Sequence, residues 1–167
     1  MKNLKTDSTK ILLMAIGNCG RGDDGLGWKF ADLLQEKKNE NINIEYRYQL
    51  QVEDAELICY YDTIIFADAS HEKQAEGFEI KPCIAAGHFY YSSHIQSPET
   101  IMFLANNLNK KYTEAYAIAI SGNDWELKTS LSAAAEKNLQ LALIFFNKEF
   151  LPTIHPLADA NKNTLTV

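Results

Sequence analysis

The chain has 167 residues and a formal net charge of −6, which suits one domain with its own apolar core and disfavours broad attraction to nucleic acid or an anionic membrane. Its three cysteines, Cys19, Cys59 and Cys83, are odd in number and widely spaced, fitting neither a disulfide framework nor a Cys-x-x-Cys metal clip and pointing to a reducing compartment. No apolar run approaches the roughly 20 residues of a transmembrane helix, and Met1 to Lys10 is polar rather than signal-like, so the expectation is a cytoplasmic protein.

In chain order, Ile11-Leu12-Leu13-Met14-Ala15 predicts a strand near Lys10 to Ile16 that empties into a turn rich in glycine, Gly17 to Gly27. Glycines there permit positive φ and close backbone approach. Asp23 or Asp24 can cap the helix predicted from Gly25 to Lys38, whose apolar positions are Leu26, Phe30, Leu33 and Leu34. Two adjacent aspartates exceed what capping requires. A strand near Ile42 to Tyr48 and a short helix from Val52 to Tyr60 follow. Thr63-Ile64-Ile65-Phe66-Ala67-Asp68 reads as a buried central strand ending in a carboxylate. Gly77 to Cys83 reads as another strand, and the next loop carries His88, Tyr90, Ser92 and His94. A helix from Pro98 to Asn109, with Pro98 in its first turn, leads to a strand from Ala115 to Ile120, the turn Ser121-Gly122-Asn123-Asp124, and a final helix from Ser130 to Asn147. The alternation is that of a parallel α/β sheet. Residues 1–150 form one predicted domain, and 151–167 a polar extension with two prolines and no assigned chemistry.

Ligands of open α/β sheets bind beyond the carboxyl ends of the strands. Asp23 and Asp24 follow the first strand, Asp68 ends the third, and His94 follows the fourth. Two carboxylates and an imidazole make an open site for a borderline metal such as nickel or zinc. Competing roles stay open: Asp68 as a turn cap, His94 as a surface residue, and His88, His71 and His155 as rival imidazoles. Cys19 is a possible thiolate nucleophile without a base at fixed spacing, whereas Cys59 and Cys83 read as core or near-core thiols.

Several segments in order resemble the hydrogenase maturation proteases: Gly17-Asn18-x-x-x-Gly22-Asp23-Asp24-Gly25-Leu26-Gly27, Ile65-Phe66-Ala67-Asp68-Ala69, Ser93-His94 before a helix, and Ala119-Ile120-x-Gly122-x-x-Trp125-Glu126 with Leu131-Ser132. The resemblance spans roughly Ile11 to Asn147. It implies a three-layer α/β/α sandwich with a mostly parallel central sheet. It also implies an endopeptidase, metal-dependent or aspartic in type, that trims the C-terminal extension of a nickel-iron hydrogenase large-subunit precursor. Carried over by position, the site is Asp24, Asp68 and His94 as metal ligands, with Asp24 and Asp68 catalytic. The implied nickel arrives with the precursor, another divalent ion being able to replace it in a crystal, and the implied enzyme is a monomer. The sequence departs from the family at Asp24, where Glu is frequent, at Cys19-Gly20, and at Tyr48-Gln49-Leu50, where the corresponding variant has His first. Whether Asp23 shapes its loop or touches the metal stays open. The rival readings are a non-catalytic relative that binds the precursor, and a nucleotide- or flavin-binding module. Against the latter stand the paired aspartates and the lack of Gly-x-Gly-x-x-Gly or a phosphate-loop lysine.

Overall fold

The computed structural model describes residues 9–37, 41–87, 96–109 and 112–154. Five strands form one sheet: β1 (Ile11–Ile16), β2 (Ile42–Arg47), β3 (Thr63–Ser70), β4 (Phe78–Pro82) and β5 (Glu114–Ser121), in the order β2-β1-β3-β5-β4. β1, β2, β3 and β5 are parallel and β4 runs antiparallel to β5 at the edge. The helices are α1 (Leu26–Glu36), α2 (Asp54–Ile58), α3 (Pro98–Leu108), α4 (Ala133–Phe145) and α5 (Leu151–Ile154). This is the expected α/β sandwich with a mostly parallel sheet.

The layers follow from the side-chain period of two along buried strands. Leu13, Ala15, Ile65, Ala67, Ile118 and Ile120 face one core, closed by Leu26, Phe30 and Leu34 of α1 and by Ala135, Leu139 and Leu143 of α4. Phe30 meets Phe146 edge-on at 5.3 Å there. The intervening residues Leu12, Met14, Ile64 and Phe66 face a second core, closed by Ala55 and Ile58 of α2 and by Ile101, Met102 and Ala105 of α3. Burying one such large side chain contributes roughly 1.5–3 kcal/mol, so both faces of the central strands are held strongly.

Two helix starts match their sequence signals. Ser97 accepts the Thr100 N–H at 3.2 Å with Pro98 next in line, and Ser132 accepts the Ala135 N–H at 3.1 Å. The last helix is longer than its apolar period implied. After Phe145 the chain makes a π turn, Phe146–Phe150, and continues as α5, which buries Ile154 in the first core.

The path sets a switch point. From β1 the chain crosses one face through α1 to β2, then returns over the other face through α2 to β3, on the opposite side of β1. The crevice beyond the carboxyl ends of β1 and β3 is the place such a fold offers a ligand.

Candidate active site

β1 stops at Ile16, and Gly17, with φ of 138°, turns the chain out of the sheet. A 3-10 turn over Gly22–Gly25 then feeds α1, with Gly22 at φ of 55°. Only glycine adopts these angles without strain, so the glycine-rich reading of this loop holds. Gly27 acts differently, by size. A Cβ there would lie 2.2 Å from the Ile16 carbonyl oxygen and 2.4 Å from that of Ala67. The first turn of α1 therefore rests directly on the ends of β1 and β3. That contact brings the Asp23-Asp24 loop over the crevice in which Asp68 stands.

Asp68 is the first residue of β3 beyond its pairing with β1, which ends at Ala15 opposite Ala67. The strand does not end there as expected. It runs on to Ser70 because β5 extends beside it, pairing Asp68 with Ala119 and Ser70 with Ser121. The carboxylate accepts the Ala69 N–H at 2.8 Å. Burial raises its pKa from 3.8 to about 7, the negative charge of Asp24 adds to the rise, and the Ala69 hydrogen bond opposes it. Asp24, half-buried, stands close enough to Asp68 for its charge to contribute to that rise.

Asp23, by contrast, is fully buried and turned away from solvent. Its carboxylate accepts four hydrogen bonds: the N–H groups of Asn123 (2.7 Å), Asp124 (2.9 Å) and Ser132 (2.7 Å), and the Ser132 hydroxyl (2.7 Å). Burial alone would raise its pKa, yet these donors together hold it below the usual carboxylate value. With both of its oxygens engaged, Oδ2 by three donors and Oδ1 by one, it ties its own loop to the loop between β5 and α4, and its side chain does not cap α1. Sequence reasoning missed Ser132 as its partner, although Leu131-Ser132 belonged to the resemblance; no local spacing signals a contact across 109 positions.

The other candidates separate. His71 is exposed and stacks on Trp125 with ring centroids 3.7 Å apart. Cys19 is exposed, Cys83 is buried with its thiol pushed up to about 12 by burial and by Glu99, and Cys59 donates its thiol to the Ala55 carbonyl at 3.2 Å. Tyr48 is 67% exposed with its ring against Trp28. His94, His88 and His155 lie outside the described residues. Among the described residues no group of three His, Cys, Asp or Glu side chains is arranged to hold a metal ion; Asp24 and Asp68 supply two anionic donors whose mutual repulsion a divalent cation would relieve.

The loop is poorly suited to phosphate. The N–H groups of Gly22, Asp23 and Asp24, which would face an anion at the start of α1, donate instead to the carbonyls of Lys128 (2.7 Å), Asp124 (2.8 Å) and Arg21 (3.2 Å). Among the described residues no helix is long and apolar enough to cross a membrane.

No family model matches the sequence, and no curated protein matches it. Among solved structures, the chain is similar to the NiFe hydrogenase maturation protease HycI from Thermococcus kodakarensis, with 22% identity, a TM-score of 0.63, and coverage of 85% of this chain and 93% of that one. It is also similar to the hydrogenase maturating endopeptidase HybD from E. coli, at 17% identity and a TM-score of 0.58, covering 81% and 88% respectively. An uncharacterised protein from Wolinella succinogenes gives 21% identity and a TM-score of 0.59, covering 87% and 98%. The chain shares the α/β/α fold of these structures over nearly their full length.

Proposed function

We propose that the chain is a hydrogenase maturation protease, which removes the C-terminal extension from a nickel-loaded nickel-iron hydrogenase large-subunit precursor, working as a cytoplasmic monomer. The observation that carries this reading is the Asp24–Asp68 pair at the switch point, in a fold shared with proteins of that activity. His94 is the proposed third ligand. A bridge between Leu50 and Gln96 anchors the chain two residues after His94 beside the end of β2, on the same edge of the sheet, which supports this choice.

Peptide hydrolysis needs an activated water, a polarised carbonyl and a proton for the leaving amine. With a pKa of about 7, Asp68 is ionised in about half of the molecules near neutral pH, so it can take a proton from water and return it to the amine. Burial is what chiefly keeps that value high, and the charge of Asp24, the other proposed anionic ligand, adds to it. A nickel ion carried in by the precursor would supply the positive charge that draws both carboxylates onto the substrate, and with it a check that the precursor is loaded.

The test is cleavage of the cognate precursor, with and without nickel, followed by mass spectrometry. The parent should cut only the loaded form, and Asp24→Asn and Asp68→Asn should each slow it by about 100-fold or more, the range for losing a positioned acid or base. Equal cleavage by all three proteins would remove the carboxylate mechanism, and equal cleavage of the nickel-free form would remove the loading check. Tight precursor binding without cleavage would instead identify a non-catalytic relative.

A further inference from the structure

We propose that Asp23 and Ser132 are positioning residues, which fix the backbone of Asp24 to the loop between β5 and α4 and so set where the Asp24 carboxylate stands. This deepens the protease reading and rests on it. The Asp24 peptide is held from several sides: its carbonyl accepts the Asn18 N–H at 3.0 Å and its N–H donates to Arg21 at 3.2 Å. Its neighbour is clamped. The Asp23 N–H donates to the Asp124 carbonyl at 2.8 Å, and the Asp23 carboxylate receives the four donors of Asn123, Asp124 and Ser132.

This arrangement exceeds what the sheet and helices need. Both cores are built from β1, β3, β5 and the five helices without it. What it adds is register between two loops at the carboxyl edge of the sheet. The Ser132 hydroxyl links the parts, donating to Asp23 while accepting the Ala135 N–H at the start of α4. Asp24 is thereby referenced to the axis of a long helix seated on the core. A reacting group displaced by about 1 Å can lose about 100-fold in rate, so a clamp one residue away has kinetic leverage.

Ser132→Ala removes the hydroxyl but keeps the Ser132 backbone donor, and Ser132→Thr restores a hydroxyl. With nickel-loaded precursor, Ser132→Ala should lower kcat about 10-fold with KM unchanged, and Ser132→Thr should recover most of the loss. In amide hydrogen exchange, Ser132→Ala should speed Asn18 and Asp24 at least about 10-fold, while Leu13 and Ile65 in the sheet keep the parent rates. A kcat within twofold of the parent, or a loss carried wholly by KM, overturns the proposal. If the parent itself leaves loaded precursor intact, the protease reading fails and exchange decides: faster Asn18 and Asp24 amides support the clamp, and unchanged ones overturn it.

Discussion

Replacing Asp68 by Asn should stabilise the protein at neutral pH while removing its chemistry. Burial first, and the charge of Asp24 second, raise this carboxyl from 3.8 to about 7 in the folded state. Between those values the native protein keeps a proton that the unfolded chain has released. Its contribution to stability is therefore complete below the unfolded pKa, declines as pH rises, and is lost once pH passes the folded pKa near 7. At about 1.4 kcal/mol per pH unit, the gap corresponds to roughly 4 kcal/mol. Asn cannot ionise, and its oxygen can still accept the Ala69 N–H. Urea unfolding of both proteins at several pH values between about 4 and 8 isolates this group, since the other titrations cancel in the difference. The Asn variant should gain on the parent by roughly 4 kcal/mol across that range and then level off. A difference that stays flat with pH would refute the reasoning that a desolvated carboxyl stands against Asp24.

Cleavage by the parent should rise with pH through about 7 as Asp68 ionises, and in Asp24→Asn any residual activity should show a lower midpoint, readable from pH–rate profiles. Gly27→Ala gains roughly 1 kcal/mol of helix propensity but drives a methyl into the Ile16 and Ala67 carbonyls, so net destabilisation of about 1–3 kcal/mol is expected in denaturant melts. Gly87→Ala, where a Cβ meets nothing within 4 Å among the described residues, is the neutral control. Asp23→Asn replaces an acceptor oxygen with an NH2 facing N–H donors and should cost about 3 kcal/mol at pH 7. Because the folded pKa of Asp23 is lowered, its stabilisation is present above the unfolded carboxylate pKa and lost as pH falls through the folded value; the parent and the Asn variant should therefore converge in acid. Arg47→Ala strands Asp54, which is 4% exposed and held by Arg47 at 2.9 Å, and should lower stability by about 3 kcal/mol in thermal melts.

The central part of this fold was legible because β1 and β3 are buried on both faces and so read as continuous apolar runs, and because Leu26, Phe30 and Leu34 repeat at helical spacing. Strand direction was not legible. Phe78–Pro82 has the composition of any short strand, and its antiparallel placement depends on pairing with β5. The end of the last helix was not legible because 151–167 read as a polar extension with two prolines, whereas the helical run continues through Pro152 to Ile154. The Asp23-Asp24 loop and Asp68 were singled out because strand ends in alternating folds converge on one edge, and the choice of Asp24 came from the family resemblance. Asp23 was ambiguous from sequence because its partners lie 100 or more positions away, and the roles of two adjacent aspartates separate only when their surroundings are known.

The two margins of the sheet bear on how the chain would meet an extended peptide if the protease reading holds. An extended polypeptide tail offered to an open strand edge can add itself as a further strand, a route to trapping and aggregation. Here the β4 margin is five residues long, carries the Lys81–Glu79 ion pair and stops at Pro82. The β2 margin carries the Glu45–Arg47 pair. Both borders are thus unattractive templates, so under the protease reading an unstructured peptide would enter at the carboxyl-end crevice rather than be woven into the sheet.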